Sequence, residues 1–60
     1  MKERFEVFRD SKDEWRFRLR ARNGHIIAVS EGYSKRVGAL KGIESVKECS
    51  KSAAIVSIDG

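Results

Sequence analysis

Residues 14–22, EWRFRLRAR, alternate almost without error. Trp15, Phe17, Leu19 and Ala21 interleave with Arg16, Arg18, Arg20 and Arg22. A period of two puts each set on its own face of a β-strand. The segment runs into Asn23-Gly24, the pair favoured in two-residue hairpin turns because both residues tolerate positive φ. HIIAVS, residues 25–30, is then the returning strand. A two-residue loop sets Arg22 opposite His25, Ala21 opposite Ile26, Arg20 opposite Ile27, Leu19 opposite Ala28 and Arg18 opposite Val29. One face of this hairpin carries Phe17, Leu19, Ala21, Ile26 and Ala28; the other carries Arg18, Arg20, Ile27 and Val29.

The flanking segments complete a small α+β pattern. RFEVF, residues 4–8, is aromatic and β-branched and reads as a first strand, followed by the polar turn cluster RDSKDE. That turn decides whether Phe5 and Val7, or Phe8, share the apolar face, and the pattern leaves both open. After EGY comes a helix with Ser34 as its expected N-cap. At ~100° per residue, Ala39, Leu40, Ile43 and Val46 form one stripe, and Gly38, Gly42, Ser45 and Cys49 form an adjacent stripe of small residues. Glycine inside a helix costs about 1 kcal/mol relative to alanine, so two of them imply a close neighbour. Ala53–Val56 is continuously apolar, as in a strand paired inside a sheet. The expected order is β-β-β-α-β, an antiparallel sheet with one helix packed on it, in a single domain over residues 1–60.

Sixty residues give a thin stability margin, and chains of this size commonly add a disulfide, a metal or a partner. Cys49 is the only cysteine, so no disulfide closes within the chain, and with His25 it makes a poor zinc set. A second copy of the chain is the remaining device. The N-terminal stretch has no apolar run of the signal-peptide kind, and nothing approaches the ~20 apolar residues of a membrane span. The expectation is a cytoplasmic protein with no membrane partner.

Taken together, FEVF, EWRFRLRARNGHIIAVSEGY and GIESVK resemble the YegP-like family of uncharacterised bacterial and archaeal proteins, over nearly the whole chain. The resemblance implies a β-β-β-α-β unit found as tandem repeats or as single-unit homodimers. Such homodimers form a common sheet and exchange their C-terminal strands. A one-unit chain is thus expected to be a homodimer, with Gly38, Gly42, Cys49, Ile55, Val56 and Ile58 as the candidate interface. The family brings no established activity and no catalytic residues.

The net charge is +4, from thirteen basic and nine acidic residues. Setting aside the arginines at 16, 18, 20 and 22 leaves nine basic residues against nine acids, so this one stretch carries the whole excess. Three function classes follow. The favoured one is a non-enzymatic homodimeric interaction module, its protein partner unidentified. The second is a sequence-nonspecific nucleic-acid binder using Arg16, Arg18 and Arg20, whose forked guanidiniums match phosphate. Against it stands a wet strand face whose arginines pair across the sheet with residues such as Glu6. The third is a small-anion receptor at the helix start, where Lys35 and Arg36 occupy a first turn that disfavours cations. His25 reads as an exposed strand residue, and Asp10, Asp13 and Glu14 crowd a turn as solvated surface. Trp15, Phe17 and Tyr33 read as core or interface aromatics. No residue set points to an enzyme, a cofactor or a metal.

Overall fold

A computed structural model describes residues 2–59. Strand β1 (Arg4–Arg9), strand β2 (Trp15–Arg20) and strand β3 (Ile26–Val29) precede helix α1 (Arg36–Ser50). The sheet is antiparallel in the order β1-β2-β3, and the helix packs on β1 and β2.

The turn between β1 and β2 is built around Asp10. Its Oδ1 accepts the backbone N–H groups of Lys12 and Glu14, both at 2.9 Å. The Asp10 N–H donates to the Glu14 carbonyl at 2.8 Å, and Asp13 takes φ +66°. Aspartate suits both tasks, since its short side chain bonds its own turn and it tolerates left-handed backbone. The resulting register pairs Phe5 with Leu19, Glu6 with Arg18, Val7 with Phe17 and Phe8 with Arg16. Phe5 and Val7 therefore join the apolar face, and Phe8 joins the arginines.

The second hairpin keeps Leu19 opposite Ala28 and Arg18 opposite Val29, but Arg20 faces Ile26 instead of Ile27. The loop has three residues, Arg22-Asn23-Gly24, closed by Ala21 N–H to the His25 carbonyl at 2.8 Å and Gly24 N–H to the Ala21 carbonyl at 2.9 Å. Only Gly24 takes positive φ there, at +89°, so the two-residue turn expected from Asn23-Gly24 is replaced. A bulge next to the loop absorbs the extra residue and increases the local twist.

Beyond Val29 the chain stays beside β2. Ser30 N–H donates to the Phe17 carbonyl at 2.9 Å, and Trp15 and Tyr33 exchange two backbone bonds at 2.8 and 2.7 Å. This bridge delivers the Tyr33 ring beneath the helix, stacked on Phe17 at 6.3 Å between centroids. Phe5 meets Phe17 edge-on at 5.9 Å. Phe17, Ala39 and Ile43 form the buried core, with Phe5, Val7, Trp15 and Tyr33 packed around it. Leu40 and Val46, expected on the same stripe, lie at its edge and are exposed.

The helix begins one residue later than the sequence implies. Lys35, not Ser34, is the N-cap, and no side chain caps the free N–H groups. Gly38 and Gly42 do face a close neighbour, and it belongs to the same chain. A Cβ on Gly42 would lie 2.5 Å from the Tyr33 hydroxyl and 3.0 Å from the Phe17 ring, and one on Gly38 3.2 Å from the Tyr33 ring. The close approach expected at these two candidate interface positions is thus supplied by Tyr33. Ser45 and Cys49, farther along the small stripe, are exposed.

Among the described residues the expected fourth strand does not form. Residues 53–59 carry no strand assignment, and their side chains are exposed. Apolar composition gives the tendency to pair, but a ladder also needs a partner edge.

Gly42→Ala tests the Tyr33 packing. Helix propensity alone favours the alanine by about 1 kcal/mol, whereas overpacking a filled site costs about 1–3 kcal/mol. The expected outcome is a net loss of stability in thermal melts, restored by Tyr33→Phe in the same background, since that change removes the nearest atom.

Candidate functional site

The face of the sheet away from the helix is an array of arginines organised by two carboxylates. By alternation from the Glu6–Arg18 pair, β1 contributes Arg4, Glu6 and Phe8, and β2 contributes Arg16, Arg18 and Arg20. Glu6 lies at the centre. Its Oε1 accepts Nε of Arg18 at 2.6 Å and Nε of Arg20 at 2.8 Å, and its Oε2 accepts Nε of Arg4 at 2.9 Å. Arg20 also donates Nη1 to the Gly24 carbonyl at 2.6 Å, tying the network to the second hairpin loop. The Arg18 guanidinium sits 4.8 Å from the centre of the Phe8 ring, within cation–π range.

Asp10 holds the other end of the row. Its Oδ2 accepts Nε of Arg16 at 2.6 Å while Oδ1 holds the turn. Arg16 donates Nη1 to the Ser30 carbonyl at 2.8 Å, and the Ser30 hydroxyl accepts the Phe17 N–H at 2.9 Å. One aspartate therefore fixes a turn and orients an arginine. At the outer margin, Arg9 bridges to Asp13 at 2.8 Å and lies over Trp15 at 5.2 Å. Arg22 is exposed, 4.0 Å from Glu3.

These interactions shift both carboxylates. Hydrogen bonds from Arg20 and Arg18, with a smaller one from Arg4, hold the Glu6 pKa at about 2 against an ordinary 4.5. Asp10 is also held below its ordinary value, chiefly by Arg16 and then by the Glu14 and Lys12 N–H groups. Both act by stabilising the ionised form.

The remaining expected sites are not brought to this face. Lys35 and Arg36 are exposed at the helix start, and no acidic residue lies in the first turn. His25 and Cys49 are exposed. Among the described residues, no three His, Cys, Asp or Glu side chains gather in metal-binding fashion. No helix among them is long and apolar enough to cross a membrane. Sequence reasoning did not foresee Arg4 as a third guanidinium on Glu6, or Asp10 as the partner of Arg16. The two-residue spacing of Arg4 and Glu6 carried the first signal; the second depended on the turn.

The chain matches a known sequence family. The profile of a domain of unknown function, DUF1508, matches residues 10–57. The chain belongs to the DUF1508 family. This is the same family as the YegP-like proteins. A UPF0339 protein of Methanosarcina acetivorans is 54% identical over 56 residues, covering 93% of this chain and 97% of that one. A UPF0339 protein encoded in the ptx operon 5′ region of Stutzerimonas stutzeri is 52% identical over 44 residues, 73% of this chain but 40% of its own length. A solution structure of a protein from Haloferax volcanii superposes with a TM-score of 0.88 at 43% identity, covering 95% of this chain and 97% of that one. The α+β fold is shared with that neighbour.

The depressed Glu6 pKa has a definite sign. A carboxylate more acidic in the folded than in the unfolded chain adds stability above its unfolded pKa. That contribution is lost as pH falls from about 4.5 towards about 2. The melting temperature of the wild type is expected to fall more steeply over this window than that of Glu6→Gln. Equal slopes in melts recorded across the window would show that the three arginines contribute nothing through Glu6.

Proposed function

We propose that the chain acts as a non-enzymatic interaction module assembled as a homodimer, in which residues 53–58 of each copy pair with the sheet of the other. The observation that carries this reading is the exposure of an apolar tail. Ile55, Val56 and Ile58 are 101%, 74% and 90% exposed. Such a segment is costly to leave in water, and burying each large aliphatic side chain contributes about 1.5–3 kcal/mol.

The sheet offers an acceptor of matching chemistry. Strand β3 is an edge strand, IIAV, with all four residues exposed and no charge among them. The other edge, β1, carries Arg4, Glu6 and Arg9, and charged edges resist pairing. The helix packs on β1 and β2 and leaves β3 without cover. An extended apolar segment added at β3 would complete the backbone ladder and set its own side chains beside Ile26, Ile27 and Val29. The Stutzerimonas relative, matched over only 40% of its length, has room for a second unit in one chain. A fused pair is the covalent counterpart of a homodimer.

Cys49, at the end of the helix that leads into the tail, lies beside this interface in the proposed assembly. Gly38 and Gly42 support it indirectly, by seating Tyr33 and so placing the helix. The dimer leaves the basic sheet face open.

Sedimentation equilibrium at micromolar concentration is expected to return the dimer mass for the wild type. Ile55→Asp combined with Ile58→Asp is expected to shift the protein to monomer and lower its melting temperature by several degrees. A wild-type chain that sediments as a stable, folded monomer overturns the dimer and the strand exchange together.

A further inference from the structure

The basic face holds more positive charge than its own carboxylates neutralise. Four guanidiniums, of Arg4, Arg16, Arg18 and Arg20, meet two carboxylates, of Glu6 and Asp10, which leaves two charges over. The surplus is concentrated at Glu6, where three arginines share one carboxylate. Arg4 lies directly opposite Arg20 in the sheet register, a like-charge pairing that Glu6, bonded to both, offsets with a single charge. One arginine would balance Glu6, so a counter-ion requirement does not account for the other two.

The donors are also incompletely used. Arg18 meets Glu6 through Nε, and its two terminal nitrogens make no hydrogen bond among the described residues. These nitrogens stand on a face that no element of the fold covers, because the helix occupies the opposite one. On the strands flanking the row lie Phe8 opposite Arg16, Ile26 opposite Arg20 and Val29 opposite Arg18. Positions two apart along a strand are spaced about 6.6–6.8 Å, so Arg16, Arg18 and Arg20 rise from the strand at phosphate-like intervals beside a partly apolar floor.

We propose that this face binds the sugar–phosphate backbone of a single-stranded nucleic acid. Arg16, Arg18 and Arg20 bind successive phosphates, and Glu6 is the resident counter-ion that orders the guanidiniums and limits their affinity. A repeating diester matches a linear series of forked donors, and each fork can bind a phosphate through two nitrogens. Phe8 and the planar guanidiniums offer surfaces on which bases can stack, the other half of single-strand recognition. A purely acidic peptide such as polyglutamate supplies charge but no planar rings for that floor. The proposal is independent of the dimer, since one protomer contains the whole face.

The test is fluorescence anisotropy of a labelled oligothymidylate titrated with the full chain over a salt series. Wild type, Glu6→Gln and the double variant R18S/R20S are compared, each checked for folding by circular dichroism. The wild type is expected to bind at low salt. Glu6→Gln is expected to bind roughly fivefold more tightly, the worth of one charge at close range in water. R18S/R20S is expected to bind more weakly, with a slope of log K against log salt shallower by about 1.4, at ~0.7 for each single-strand phosphate left without its arginine. Absence of binding by the wild type at low salt overturns the proposal, as does equal or weaker binding by folded Glu6→Gln. Competition by polyglutamate as effective as that by unlabelled oligothymidylate also overturns it, because the face would then read charge alone. Should R18S/R20S fail to fold, the wild-type titration and Glu6→Gln decide the matter.

Discussion

The register between the first two strands is the constraint on which the rest depends, and the Asp10 turn sets it. With Val7 opposite Phe17 and Glu6 opposite Arg18, the two faces of the sheet separate cleanly. The apolar face can then receive the helix, and the other can gather arginines around Glu6. A slip of one residue would move every side chain to the wrong face, since strand side chains alternate with period two. Asp10 guards against the slip through both oxygens, one holding the turn and the other holding Arg16.

The helix is placed by a second local device. Reciprocal backbone bonds between Trp15 and Tyr33 carry the line of β3 past Ser30 and put an aromatic ring against Gly38 and Gly42. Those glycines trade helix propensity for close packing. The core so formed is small, with Phe17, Ala39 and Ile43 at its centre. It does not use the apolar residues of β3 or of the C-terminal segment. Small domains bury a low fraction of their surface, and this one leaves a coherent apolar edge and a coherent apolar tail. These two unfinished surfaces support the proposed assembly.

The arginine row illustrates how a strand face can be both paired and basic. Three guanidiniums on one carboxylate stabilise its ionised form, which is why Glu6 titrates so low. The pairing accounts for why such a row survives in a sheet, and the surplus for why it still presents net positive charge. Part of this was legible in the sequence. Alternation put Arg16, Arg18 and Arg20 on one side, and Glu6 was a reasonable partner. Which face Glu6 shared, and that Arg4 and Asp10 completed the array, depended on a turn whose residue preferences do not specify its count.

By itself, the sequence determined the three strands and the helix, the segregation of arginines from aromatics, and the family. These follow from local periodicity, which needs no knowledge of distant neighbours. Tertiary structure decided the three-residue loop at Asn23-Gly24 and the use of Lys35 instead of Ser34 at the helix start, because sheet twist and helix docking outweigh local preference. It also decided that Tyr33 fills the notch at Gly38 and Gly42, a meeting of residues that requires the sheet to form first. The tail shows the same division from the other side. Its apolar run declares a strand, but pairing needs an edge within reach, and residues 53–59 pair with neither β1 nor β3 of their own chain.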